Sequence, residues 1–318
     1  MDRDREKRTI DGRRESSPIT GRLRPHSSSH FGARRVDSRT LDAEMLRLRM
    51  GRCAERLCTG IALLLIASGV LGAERADAQA RPVRRTGRLT LSSGFDFSTG
   101  DYGSSGTTQI AYAPFSVKYA RDPFVLKLTI PYIRITGPGN VVGVDGVLLT
   151  GGSAKRETND GLGDVILSTG YVLAPLRPAW PYLEFTGKVK FPTASEKRNL
   201  GTGEFDGTLQ VEASKTFAAF TPFLTAGYRF VGNPPGSNLH NVIFSSVGFD
   251  YRVSARLDAG LTYEWRQTAS PSVGDSQELS PYLSWKINSH ISLTPYAVFG
   301  LTRAATDAEV GFGASYRF

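Results

Sequence analysis

Cysteine is scarce in this sequence, which has only two cysteines in 318 residues, Cys53 and Cys58. Both precede residue 80, so the rest of the chain has no thiol for a disulfide or a cysteine-ligated metal site. Histidine is scarce as well, because residues 81–318 contain only His240 and His290. We therefore expect no metal and no cofactor.

A concentrated excess of positive charge is also missing from the larger part of the chain. The formal net charge of +9 would suit an anionic partner such as nucleic acid if it lay in the folded part. More than half of the excess lies instead in residues 1–80, and the rest of the sequence is nearly balanced. We expect no nucleic-acid partner.

The sequence has no apolar run long enough for a comfortable transmembrane helix, which needs about 20 residues. The main apolar block, residues 57–71, follows several arginines and leads to small residues that end in Ala78-Gln79-Ala80. This layout predicts a signal peptide over residues 45–80, cleaved before Arg81. Residues 1–44 are interpreted as a disordered basic leader or an over-extended start. Translation begins at Met1 if the leader is real, and at Met45 or Met50 if the start is over-extended.

A helical apolar period is absent from residues 81–318, where apolar and polar residues alternate instead. Residues 257–266 are an example, with apolar side chains at every second position from Leu257 to Trp265. The runs are about 9 to 13 residues long, the length of tilted membrane-spanning strands and longer than most strands of soluble sandwiches. The pattern predicts one face towards lipid and the other towards a wet lumen.

About twelve such runs occur, and the connections between them alternate in length. Even strand number with short periplasmic turns and long outer loops is typical of bacterial barrels. The sequence thus predicts an all-β fold, a transmembrane antiparallel up-and-down β-barrel over residues 81–318 in the bacterial outer membrane. Short turns are expected near residues 121–122, 218–219, 253–254 and 288–289, and long loops at 136–163, 192–204, 231–241 and 267–276.

The last run ends the chain with apolar residues at every second position. Strand alternation up to a terminal phenylalanine resembles the signal by which outer-membrane barrels are recognised for insertion. We therefore expect the barrel assembly machinery and outer-membrane lipid as partners. The residues of this expected assembly signal are Val310, Phe312, Ala314, Tyr316 and Phe318.

Several short motifs resemble an outer-membrane transporter family grouped with proteins of the MetA pathway of phenol degradation. The resemblance extends from Thr86 to Phe318 and implies a barrel that helps small, often aromatic or hydrophobic, compounds to cross the outer membrane. The motifs that carry it are Pro131-Tyr132, residues 135–140 (ITGPGN), 161–164 (GLGD), 186–193 (TGKVKFPT), and 200–203 (LGTG) with Asp206.

Charged residues on the polar face of the predicted strands are the candidate site. They either line a pore and select solutes by charge, or pair across strands and keep a narrow lumen solvated. The alternation leaves both interpretations open. The candidates are Lys127, Asp164, Glu184, Lys188, Lys190, Asp206, Glu212, Glu264 and Arg266.

No motif indicates catalysis. His240 falls in an outer loop and His290 in a periplasmic turn, so they cannot share a site. Asp258 and Glu264 share a face but lie about 20 Å apart along one strand, too far for a joint acid/base role. We expect a channel for passive uptake or efflux of small-molecule solutes and no enzyme. The alternative is a closed barrel with a structural, adhesive or loop-mediated binding role, and the oligomeric state stays open.

The terminal phenylalanine gives a first prediction. Deleting Phe318 should lower the amount of folded barrel in the outer membrane and leave synthesis and export intact, because the aromatic end of the last strand acts as the insertion signal. The folded fraction is measured by the heat-dependent gel mobility of outer-membrane samples. An undiminished folded fraction would contradict the assignment.

Overall fold

The computed structural model of the chain describes residues 87–143, 147–149 and 155–318. The predicted leader and signal peptide, residues 1–80, lie outside the described residues. Among the described residues no helix is long and apolar enough to span a membrane.

The described residues form fifteen β-strands and one 3₁₀ turn, Glu196–Arg198. Twelve of the strands have nine residues or more, and three are shorter. In chain order the strands are β1 Arg88–Gly100, β2 Thr108–Arg121, β3 Phe124–Pro138, β4 Val141–Val142, β5 Val147–Leu148, β6 Arg156–Leu162, β7 Val165–Leu173, β8 Tyr182–Phe191, β9 Asp206–Ser214, β10 Phe220–Phe230, β11 Val242–Arg252, β12 Leu257–Arg266, β13 Ser276–Lys286, β14 Ile291–Gly300 and β15 Ala308–Arg317.

The twelve long strands form one closed antiparallel barrel. Each long strand pairs with the next long strand in the chain, and β15 pairs back with β1 from Thr90 opposite Arg317 to Thr99 opposite Ala308. The expected up-and-down barrel of about twelve strands is therefore confirmed. Closure leaves no strand edge unpaired in the wall.

β6 and β7 follow one another along the same side of β3, and a β-bulge separates them. Both strands pair with β3, Tyr132 lying opposite Leu162 and Thr129 opposite Ile166. Three residues of one strand thus face two of the other, which is the geometry of a bulge. The amide of Gly163 donates to the carbonyl of Pro131 at 2.9 Å, so the two strands stay joined through the bulge.

The connection predicted at residues 136–163 is shorter than expected, which corrects the sequence interpretation. β3 continues to Pro138, and β6 begins at Arg156. The sequence of β6, RETNDGL, has no apolar alternation, because most of its side chains are exposed and it is held by backbone pairing with β3. Alternation reveals a strand only where one face is apolar.

Turn length distinguishes the two ends of the barrel. The turns after β2, β9, β11 and β13 are short, and the start of β1 and the end of β15 lie at that same end. The connection of residues 174–181 is the longest at this end. The predicted long loops all lie at the opposite end, so the short-turn end is periplasmic and the long-loop end is extracellular.

The two faces of the wall are the reverse of those of a soluble protein. Large apolar side chains are exposed on the outside, for example Leu224 at 55% and Val247 at 51%, while their neighbours Thr225 and Ser246 are buried inside. An apolar surface that runs round a closed barrel has a stable environment only in lipid. The protein is a barrel of the bacterial outer membrane.

Candidate functional site

The inner face of the barrel carries the candidate residues, because alternate side chains of each strand turn away from the exposed apolar face. On β8, for example, Glu184 and Lys188 alternate with Phe185 and Val189, which are exposed at 47% and 42%. Asp164 lies at the bulge between β6 and β7. The other predicted residues at inner positions are Lys127, Lys190, Asp206, Glu212, Glu264 and Arg266.

Lys190 belongs to an ion-pair network near the extracellular end. Its ammonium lies 3.0 Å from Asp164 and 3.3 Å from Asp206, and Asp206 also accepts from Arg229 at 2.8 Å. Asp206 is buried, and it accepts a further hydrogen bond from the Gly232 amide at 2.9 Å. The structure therefore brings together three of the predicted residues and adds Arg229, whose position opposite Thr208 is visible only once the strands are paired.

Three other aspartates of the inner face are held by donors on neighbouring strands. Asp258 accepts from Lys286 at 2.6 Å, Asp96 accepts from the Tyr296 hydroxyl at 2.6 Å, and Asp250 accepts from the Tyr282 hydroxyl. The sequence interpretation did not single out these contacts. Each aspartate falls on the polar positions of an alternating strand, but its partner lies 28 or more residues away in the sequence.

The extracellular mouth is covered by a short hairpin, β4 with β5, in the connection between β3 and β6. Val141 of this hairpin is fully buried and packs in an apolar cluster on the inner face of β2 and β3. The other members of this cluster are Tyr102, Ile110, Ile133, Ile135, Ala194 and Leu200.

The second strand of the hairpin faces the opposite wall. Val147, with Leu149, packs against a cluster formed by Leu239, Val242 and Ala269. Val242 begins β11, which lies six strands from β2 in the ring of twelve and so faces it across the barrel. The hairpin thus crosses the mouth and contacts both sides.

One cavity beside the hairpin is small. A cavity of about 30 Å³, enough for one or two water molecules, lies between Val147 and the wall residues Arg229, Val242 and Arg266. A solute larger than water cannot pass through this cavity unless the hairpin or the neighbouring loops move.

Tyr102 completes the cover from the connection between β1 and β2. Its backbone lies in the left-handed region, with φ at 48°, which is unfavourable for a large side chain. The ring is buried, and its hydroxyl is 2.8 Å from the Ser98 hydroxyl. Burial raises the pKa of the Tyr102 hydroxyl above its usual range, so the group stays neutral at physiological pH.

The sequence interpretation missed the hairpin, although the sequence contained a sign of it. Residues 141–149 include several aliphatic side chains, which are unusual in an exposed loop. Their spacing fits neither a long strand nor a helix, so the search for alternating residues predicted no structure for them. An aliphatic segment in a predicted outer loop indicates a loop that folds inwards.

The two histidines lie at opposite ends of the barrel. His240 is exposed in the connection before β11, and His290 is exposed in the turn between β13 and β14. Within the described residues, no three histidine, cysteine, aspartate or glutamate side chains converge in an arrangement that could hold a metal ion.

The family comparison identifies the group to which this barrel belongs. Residues 92–318 match the model of a family described as "putative MetA-pathway of phenol degradation". The chain belongs to this family. No curated protein matches the sequence.

Several solved structures are similar to this MetA-pathway family member. The COG4313 outer membrane channel from Pseudomonas putida F1 matches with a TM-score of 0.60 and 16% identity, covering 76% of this chain and 98% of that one. The NanC porin matches with a TM-score of 0.46 and 9% identity over 72% of this chain and 98% of that one. The NalP translocator domain from Neisseria meningitidis matches with a TM-score of 0.46 and 11% identity over 78% of this chain and 95% of that one.

The ion-pair network gives a stability prediction. Asp206→Ala should lower the free energy of unfolding by about 3 kcal/mol, because it leaves Lys190 and Arg229 partly buried without their shared acceptor. Asp307→Ala, at an exposed loop position, is the matched control and should change little. Urea unfolding in lipid vesicles, followed by tryptophan fluorescence, measures the difference, and equal stability of the two variants would contradict it.

Proposed function

We propose that this protein is an outer-membrane channel for the passive movement of small molecules. The observation that carries the proposal is the polar inner face of a closed barrel, which ends at a mouth covered by a small hairpin. A structural barrel needs only a packed interior, whereas charged side chains along a lumen are the usual means of selecting solutes.

The hairpin acts as the gate in this proposal. It is held by burial of single aliphatic side chains: the fully buried Val141 contributes about 1.5 to 3 kcal/mol, and the half-buried Val147 contributes less. Energies of that size allow a minor open population, which solutes can use. Passage in either direction then needs no energy source.

Small aromatic or hydrophobic compounds are the proposed solutes. The family description refers to phenol degradation, and the apolar cluster beneath the hairpin offers aromatic and aliphatic contacts at Tyr102, Ile110 and Ile133. When the hairpin moves away, these side chains would contact an apolar solute body, and the charged wall below would contact a polar substituent. The protein has no catalytic role in this account.

A closed barrel with a structural, adhesive or loop-mediated binding role is the second candidate. The observation that favours it is the covered mouth, where the cavity beside Val147 measures about 30 Å³. The two candidates differ in whether the cover opens.

Single-channel recording in a planar bilayer distinguishes them. The wild-type protein should conduct in brief openings, and Val141→Asp should raise the mean conductance several-fold, because a carboxylate is costly in the apolar cluster and releases the hairpin. Val253→Asp adds the same charge at an exposed turn of the opposite end and should behave as wild type. Absence of conductance in the wild type and in Val141→Asp would exclude the channel.

A further inference from the structure

Side chains of like charge lie directly opposite each other at three places on the inner wall. Lys118 pairs in register with Lys127, Glu184 with Glu212, and Glu264 with Glu278. Like charges at directly opposed positions destabilise a sheet. Three such pairs on the inner face of one barrel show that side chains of one sign are grouped on neighbouring strands.

The lysine pair is part of a longer row, which we call the basic row. The row takes one residue from each of eight consecutive wall strands, starting at β15 and ending at β10, and each residue lies in register with the next. Three hydroxyl residues each lie between two cations along it, namely Thr90, Ser168 and Thr208. The five cations are Arg317, Lys118, Lys127, Lys188 and Arg229.

The basic row climbs from one end of the barrel to the other. Arg317 is the last residue of β15 at the periplasmic end, and Arg229 is the last but one of β10 at the extracellular end. Strands about 4.8 Å apart and tilted by about 40° raise a row of seven steps by about 20 Å, most of the thickness of the membrane. Consecutive cations are one or two strands apart, hence no more than about 10 Å along the wall.

The glutamates do not form an equivalent row. Glu212 and Glu264 lie in one register line, but Thr225 and Ser246 stand between them on β10 and β11. The acidic line thus consists of two separate pairs, about 15 Å apart. Only the basic row offers charge of one sign at short intervals from end to end.

The upper end of the basic row opens into the small cavity under the hairpin. Arg229 lines this cavity together with Arg266, and the remaining lining includes Val147, Val242 and Tyr102. Arg229, which is ion-paired with Asp206, and Arg266 lie here beside aliphatic and aromatic side chains, so that a solute with a carboxylate and an apolar body would meet both kinds of group.

We propose that the basic row is a track along which small organic anions, in particular monocarboxylates with an apolar body, cross the barrel. The inference rests on the proposed channel function and names its solute class. An anion leaving one cation meets the field of the next at about 10 Å, close to the screening length of about 8 Å at physiological salt. The intervening hydroxyls of Thr90, Ser168 and Thr208 donate hydrogen bonds to it between cations.

The test measures reversal potential and solute flux on the same protein. In a gradient of KCl, the wild type should prefer chloride, and Lys188→Glu combined with Lys127→Glu should lower the chloride-to-potassium permeability ratio about tenfold, more strongly at low salt. Lys155→Glu combined with Lys197→Glu makes the same charge change at exposed extracellular positions outside the row. This control should retain the preference of the wild type for chloride.

Benzoate and the uncharged benzamide serve as probes in vesicle uptake assays. The wild type should admit benzoate faster than benzamide. The double variant of Lys127 and Lys188 should lose this preference while still admitting benzamide.

Conductance without chloride preference, or equal uptake of the two probes by the wild type, would overturn the track and leave the channel intact. Absence of both conductance and benzamide uptake would instead overturn the channel itself. Retained chloride preference in the folded row variant would also overturn the track.

Discussion

The pairing of β15 with β1 is the interaction on which the rest of this structure depends. In the hydrocarbon layer no water satisfies backbone amides and carbonyls, so a spanning sheet must close on itself. Closure is complete here down to the last residue, since the amide of Phe318 donates to the carbonyl of Leu89 at 3.0 Å. Once the ring is closed, the side of the wall on which each side chain lies is fixed.

Closure also fixes the register, and the register arranges the charges. A slip of one residue between two strands would turn a set of lysines and glutamates into lipid and a set of leucines into the lumen. The rows of the inner face are therefore as well defined as the wall itself. The extracellular connections then complete the interior, because their aliphatic residues pack with one another and with apolar residues on the inner face of β2, β3 and β11.

The sequence predicted the wall well and the mouth poorly, for physical reasons. A strand such as β12 places apolar residues at every second position, because one face lies in lipid, and that period can be counted. β6 lacks the period and was missed. The packing of Val141 in one cluster with Ile133, and the ion pair of Lys190 with Asp164, depend on where the chain returns after a loop, which a local pattern does not encode.

The basic row could be assembled only from the structure. Lys127 and Lys188 were predicted as inner positions of alternating strands, whereas Lys118, Arg229 and Arg317 were not. Their common row depends on the register between strands. The one-residue bulge before β7 shifts that register, and turn lengths alone would have placed Ser168 and Lys188 differently. Two of the five cations of the row were thus predicted from the sequence, and the order of the row was not.

Cysteine scanning of β8 tests the central claim, that one face of the wall is wet and the other lies in lipid, most directly. Residues 81–318 contain no cysteine, so single substitutions at positions 184–190 carry the only thiol after residue 80. The account predicts that a charged, water-soluble maleimide labels positions 184, 186, 188 and 190 and that a lipid-soluble probe labels 185, 187 and 189. Labelling without this period of two, or with the opposite phase, would contradict it.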